Sequence, residues 1–292
     1  MQFWNSKTGV AGLSIASNSF LVILKIAVGV SMGSVSVISE GIHSAVDLLA
    51  AVIAFLAVRV AGRPADEQHP YGHGKWENVS GTVEAVLILL AAGLIYYEAG
   101  KKILHQLPLE SIDLGIGLMA LSAALNFVVS RQLMKVAART ESVALEADAL
   151  HLTTDVYTSL GVFVGLVIVR VTGIWVLDSV IAIGVATLIV RAALDLTRRS
   201  FSDLLDARLP QHEEGKIAAV LEEHSGLFRE YHKLRSRRSG ADRHIDFHLV
   251  VDPDVTVAEA HALADHLENE IRNCFPESSV TTHLEPGRPI DE

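Results

Sequence analysis

The sequence predicts an α-helical membrane protein of six transmembrane helices, followed by a small α+β domain. Two observations carry that prediction. Half of the 292 residues are hydrophobic and only 20% are charged, with a mean hydropathy of +0.36. That balance is too apolar for an ordinary soluble chain. The apolar residues are also gathered into six long runs before residue 205, beyond which charge becomes dense.

A helix needs about 20 apolar residues to cross a bilayer. The six runs lie near 10–30, 34–58, 79–97, 112–134, 143–169 and 174–196. The N-terminus has no basic segment followed by a small-residue cleavage site, so the first run is expected to remain as a span. Pro210 then breaks the chain, and nothing later is long enough to cross. The reading is a membrane domain over 1–206 and a second domain over 207–292.

Basic residues concentrate on the cytoplasmic side of a membrane. With a cytoplasmic N-terminus, the inside segments carry Lys7, then Arg59, Arg63 and Lys75, then Arg131, Lys135 and Arg139, then Arg198 and Arg199. The outside loops hold Lys101, Lys102 and Arg170. Both termini are therefore expected in the cytoplasm.

In the tail, 211–224 and 256–275 have helical periodicity. Segments 231–239 and 243–252 read as strands, the second alternating Ile245, Phe247, Leu249 and Val251 with polar neighbours, and 279–284 as a last short strand.

A formal net charge of −10 argues against a nucleic-acid partner. The single Cys274 excludes an internal disulfide framework or a Cys-rich zinc module. Thirteen histidines in a chain with one cysteine point instead to imidazole and carboxylate chemistry.

The second span contains His43 and Asp47, and the fifth contains His151 and Asp155. Each pair is His-x-x-x-Asp, and residues four apart share a helix face. Facing each other, the pairs supply two imidazoles and two carboxylates, a suitable tetrahedral set for zinc. Ordinary interhelical polar contacts are a weak alternative. An ionisable group in hydrocarbon costs about 2.5–3.5 kcal/mol on insertion scales, so four at matched depth need a reason. Glu84, Glu98 and Asp178 are single acids, expected near helix ends or in interhelical hydrogen bonds. Asn18 and Asn126 are read as packing contacts. Gly81, Gly93 and Gly184 are read as sites of close helix approach.

The loop after the second span holds Asp66, His69 and His73, with Gly72 and Gly74 between and after. A bent loop could gather the three around one ion, or they could be ordinary solvated polar groups. The tail offers His232, His244, His248, His261, His266, His283 and Glu285, some of which a sheet packed beneath a helix could bring together.

With these motifs in view, the chain resembles the cation diffusion facilitator family, and in particular its bacterial zinc/proton antiporters. The resemblance rests on the six spans, the two His-x-x-x-Asp pairs, the loop His-Pro-Tyr-Gly-His-Gly-Lys (69–75), Leu205-Asp206 and the tail. It implies that His43, Asp47, His151 and Asp155 form a transport site, and that Asp66, His69 and His73 form a loop metal site. It also implies that His232, His248, His261, His283 and Glu285 form a binuclear site in a metallochaperone-like cytoplasmic domain. Lys75 and Asp206 match a charge interlock within a homodimer. Some members have Asp where this chain has His43, and the two-His, two-Asp version is associated mainly with zinc. Glu285 stands where some relatives have Asp, which keeps the carboxylate and changes its reach.

The expected function is proton-coupled efflux of a divalent transition metal, Zn2+ first, from the cytoplasm across the inner membrane. Zn2+ is then substrate and also structural or regulatory ion, and the partners are metal, protons, the lipid bilayer and a second copy of the chain. Efflux of Fe2+, Co2+ or Cd2+, or a non-transporting metal sensor, are the alternatives. An intramembrane metalloenzyme fits poorly, because no His-Glu-x-x-His is present and four protein ligands leave no open position for water.

Overall fold

A computed structural model describes residues 5–32, 35–105, 115–174 and 176–287. The chain divides into two compact units, 1–201 and 202–292.

The first unit is built from six long helices at the positions the apolar runs predict. These are α1 (Lys7–Met32), α2 (Val35–Ala61), α3 (Lys75–His105), α4 (Gly115–Thr140), α5 (Val143–Thr172) and α6 (Val176–Leu204). Among the described residues, α1, α2, α3, α4 and α6 each contain a segment long and apolar enough to cross a membrane. α5 is 30 residues long and carries Glu146, Asp148, His151 and Asp155 in its first half.

α5 sits between two packed layers. Ala144, Leu145, Ala149 and Leu152 pack with Val10, Ala57 and Leu133 of α1, α2 and α4. Ala147 packs instead with Ala85, Ile88, Ile189 and Leu196 of α3 and α6. Small residues on α5 let helices approach from both sides, which brings its polar face against α1, α2 and α3. Rows of large apolar side chains such as Ile23, Leu49, Leu90 and Leu188 stay exposed on the outside, as a lipid-facing surface requires.

The glycines bear out one expectation and correct two. A Cβ on Gly81 would stand 2.8 Å from Val143 Cγ1 and from Ser200 Oγ, so the close approach is real there. Nothing lies within 4 Å of the corresponding point on Gly93 or Gly184. The approach sites the sequence reading missed are Gly29 against Ile38, Gly41 against Ile26, and Gly161 against Val185. Which face of a helix meets a neighbour is set by packing, and a lone glycine does not encode it.

The second unit holds α7 (Gln211–Glu223), a 3₁₀ turn (Ser225–Leu227), β1 (Glu230–Ser239), β2 (Asp242–Val251), α8 (Val257–Cys274) and β3 (Ser278–Pro286). Pro210 precedes α7, where its missing N–H costs nothing. Thr256 and Glu259 form a reciprocal capping box that starts α8. The sheet order is β1-β2-β3, with β1 antiparallel and β3 parallel to β2. Ile245, Phe247 and Leu249 of β2 are buried against Ile217, Leu221, Leu267 and Ile271 of the two helices. The alternate residues of β2, His244, Asp246 and His248, take the opposite face. β1 has a bulge between His232 and Arg235, where Lys233 has φ of 51°.

Candidate metal centre

α2 positions His43 and Asp47, and α5 positions His151 and Asp155. His151 Nε2 lies 3.0 Å from Asp47 Oδ1, and both side chains are buried. Asp47, His151 and Asp155 each offer one ligand atom, all within 4.8 Å of one another. His43 stands one turn from Asp47, its Nε2 4.0 Å from Asp47 Oδ1, and is half exposed at the rim. His43, Asp47 and Asp155 line a cavity of about 190 Å³, together with Lys25, Ser44 and Asn126 among others. Two imidazole nitrogens and two carboxylate oxygens suit a borderline divalent cation.

The surroundings add polar groups that spacing alone did not single out. Asn126 of α4, read from sequence as a packing contact, donates from Nδ2 to Asp155 Oδ2 at 3.3 Å. Asp148, one turn before His151, accepts from Ser14 Oγ of α1 at 3.1 Å. Lys25 of α1 donates to Ser44 Oγ at 2.9 Å. Glu84 is completely buried in the interior of α3, not at a helix end; Ser80 Oγ donates to its Oε1 at 3.5 Å along the same helix. Glu98 does lie exposed towards the end of α3. The side chains of Glu40 and Asp178 lie outside the described residues.

In the loop before α3, Asp66 organises the backbone. Its Oδ1 accepts from the N–H of His69 at 2.7 Å and of Gln68 at 3.0 Å. The carbonyl of His69 accepts from the N–H of Gly72, whose φ of 80° favours glycine. The turn brings His69 Nδ1 to 3.3 Å from Asp66 Oδ1 and His73 Nε2 to 3.4 Å from Asp66 Oδ2. The two rings are 4.4 Å apart. The His69 backbone N–H holds the Asp66 carboxyl below the usual carboxylate range, against a smaller opposing effect of desolvation. All three residues therefore offer ligand atoms to one point.

In the second unit, His232, His248 and Glu285 form the third such group. The register pairs His232 with His248 across β1 and β2, and His248 with His283 across β2 and β3. Glu285 Oε1 is 2.6 Å from His248 Nδ1, and Glu285 Oε2 is 3.3 Å from His232 Nε2. The His248 ring lies 4.5 Å from that of His283, whose Nε2 is 3.8 Å from Glu285 Oε1. The His248 hydrogen bond is the main reason the Glu285 carboxyl is held below its usual range. His261 is not in this group. It is exposed on α8, beside buried Ala260, with Nε2 3.6 Å from Asp265 of its own helix. Its neighbour fills the core face, and a rotation of 100° per residue turns His261 away. Asp206, with a left-handed φ of 56°, is engaged by Arg237 at 3.2 Å, and Lys75 opens α3.

Residues 12–205 match the cation efflux transmembrane domain, and residues 209–287 match the cytoplasmic domain of cation efflux proteins. The chain belongs to the cation efflux family. It is a multi-pass membrane transporter and not an enzyme.

Similarity to known members of the cation efflux family runs through both units. The chain is 37% identical over 276 residues to an uncharacterised transporter of Synechocystis sp., covering 94% of this chain and 89% of that one. It is 34% identical over 275 residues to the cation-efflux pump FieF of Pectobacterium atrosepticum, covering 93% and 90%. It is 30% identical over 273 residues to FieF of Shewanella oneidensis, covering 94% and 92%. A cation efflux protein must carry its substrate through the membrane unit, and among the described residues of that unit the convergence of α2 and α5 is where buried carboxylates and imidazole meet beside a cavity.

Proposed function

We propose that this protein exports a divalent transition metal, zinc before others, from the cytoplasm in exchange for protons. The observation that carries the proposal is the convergence of Asp47, His151 and Asp155, with ligand atoms within 4.8 Å of one another, His43 at hand as a fourth ligand, and open space beside them. A mixed set of two nitrogens and two oxygens favours zinc over manganese, whose hard ion prefers oxygen alone.

Proton exchange follows from the ligands. An imidazole or carboxylate must be deprotonated to bind metal, so metal and protons compete for the same atoms. With the site open inward, metal displaces protons; with it open outward, protons displace metal. Rocking of helices around a fixed midplane site completes the cycle.

The molecule works as a homodimer with both termini in the cytoplasm, in the inner membrane. The Asp66–His69–His73 loop and the His232–His248–Glu285 cluster, joined by His283, bind metal as regulatory sites. Lys75 and Asp206 serve the charge interlock.

The test is zinc flux into dye-loaded liposomes under a pH gradient. Asp155→Ala is expected to lower the rate at least 100-fold, with the dimer intact by gel filtration. Wild-type flux by that variant would refute the site.

A further inference from the structure

We propose that the outer face of α4, near its C-terminal end, binds an anionic phospholipid: Arg131, Lys135 and Arg139 hold the phosphate headgroup, and Phe127 and Val128 receive the start of its acyl chains. The site needs only that α4 crosses the bilayer, and stands apart from the metal and from proton exchange.

The second half of α4 has two distinct faces. Asn126, Val129, Leu133, Val136 and Ala137 are buried. At 100° per residue they all fall on one side of the helix. Phe127, Val128, Arg131, Lys135 and Arg139 are exposed and fall on the other. That exposed face changes character along the axis. It is apolar as far as Val128, with Phe127 49% and Val128 64% exposed, and cationic from Arg131 onward. With a rise of about 1.5 Å per residue, the three cations span about 12 Å, enough to run from the hydrocarbon boundary through the headgroup layer. The guanidinium of Arg131 lies 5.5 Å from the centroid of the Phe127 ring. The innermost cation is thus folded back along the apolar part of the face, where a lipid phosphate meets its acyl chains.

Neither pairing nor helix polarity accounts for this row. Other cations at the same end of the helix bundle are neutralised: Lys7 by Glu77 at 2.9 Å, Arg198 by Asp195 at 3.6 Å and Arg199 by Glu146 at 2.7 Å. Among the described residues, Arg131, Lys135 and Arg139 make no ion pair. The negative pole of a helix is felt over its last turn, so it reaches Arg139 but neither Arg131 nor Lys135. The general excess of basic residues on one side of a membrane sets their sign, but does not align them four residues apart beneath an apolar strip. Cations placed so attract anionic lipid. A guanidinium offers a phosphate a planar fork of donors and a lysine offers a point charge. The apolar strip selects an anion that carries acyl chains over one dissolved in water. A headgroup bound there fixes the depth of α4, and with it of Asn126 and its partner Asp155.

The experiment reconstitutes the full-length protein in phosphatidylcholine bilayers with a trace of spin-labelled phosphatidylglycerol or spin-labelled phosphatidylcholine. Electron paramagnetic resonance reads the immobilised fraction of each. The wild type is expected to favour phosphatidylglycerol at least about fivefold. Arg131→Gln, Lys135→Gln and Arg139→Gln should each lower that preference, and together they should abolish it. The charge-keeping combination of Arg131→Lys, Lys135→Arg and Arg139→Lys should retain it. So should Arg59→Gln with Arg63→Gln, which removes two exposed cations from the end of α2.

Equal immobilisation of the two lipids by the wild type overturns the proposal, as does an undiminished preference in the triple glutamine variant. If that variant does not fold, an undiminished preference in all three single variants overturns it. An equal loss on removing Arg59 and Arg63 would show diffuse surface charge in place of a site. Displacement of the labelled lipid by water-soluble glycerol phosphate would show a site for dissolved anions, and overturns it too.

Discussion

Replacing Asn126 with Leu tests whether the surroundings of the central site orient its ligands. Asn126 is buried on α4 and donates from Nδ2 to Asp155 Oδ2 at 3.3 Å, which leaves Oδ1 free to turn towards the cavity. A hydrogen bond to a charged group is worth about 1.5–3 kcal/mol. At 3.3 Å this bond is at the long end of the normal range, so the lower figure applies. Loss of about 1.5 kcal/mol of orientation corresponds to roughly tenfold in metal affinity. Groups that hold metal ligands in place commonly show effects of about 10–100-fold. The stability cost of the lost bond is offset by a second effect of the same substitution. Asn126 Oδ1 is buried without a partner among the described residues, and Leu of similar size removes that penalty. The assay pairs zinc KM in proteoliposomes with thermal unfolding in detergent. The expected result is a KM raised about tenfold with an unchanged or higher melting temperature. A KM within about twofold of wild type would refute the reasoning, and a fall in stability would show that the amide serves packing instead.

Two further outcomes follow from packing and charge. Gly81→Ala should destabilise the membrane unit by about 1–3 kcal/mol, since its Cβ would meet Val143 and Ser200 at 2.8 Å, whereas Gly93→Ala should be silent in the same detergent-unfolding measurement. In the second unit, buried Glu213 accepts from Arg238 and from Arg243, the latter at 2.7 Å. Burial works to raise its pKa, but the Arg243 hydrogen bond and the two guanidinium charges outweigh this and hold it below the usual range. Its contribution is thus complete above the ordinary glutamate value of about 4.3 and is lost as pH falls through the lowered folded value. Glu213→Gln, which removes the carboxylate charge that Arg238 and Arg243 both engage, should cost about 3 kcal/mol at neutral pH and flatten the acid limb of the unfolding curve. Equal acid sensitivity of the two proteins would count against that network.

Much of this was legible in the sequence because it is periodic. Apolar runs of bilayer length predicted all six long helices, and the alternation of β2 predicted which of its faces is buried. The four-residue spacing of His43 with Asp47 and of His151 with Asp155 survives folding because both pairs lie on uninterrupted helices. What was not legible depends on rotation and register. Lys25, Asn126 and Glu84 are single polar residues in apolar helices, and nothing in their spacing says whether they face lipid, a neighbour or a cavity. The parallel pairing of β3 with β2, which sets His283 beside His248, is likewise a matter of topology. His261 was expected with the tail ligands because it matches the family's binuclear site, but its helical phase turns it away from the His232–His248–Glu285 group.

The bulge in β1 has a chemical consequence. From Arg235 onward, odd-numbered residues of β1 share the face of His244, Asp246 and His248; the extra residue switches that parity, so His232 takes the place opposite His248. In a strand of uniform pleat the same face would present Lys233 there. A permanent cation would then neutralise Glu285 and repel any metal, and the cluster would be a closed ion pair. One inserted residue, held by a left-handed turn of the backbone at Lys233, decides whether this sheet edge offers lone pairs or a fixed charge.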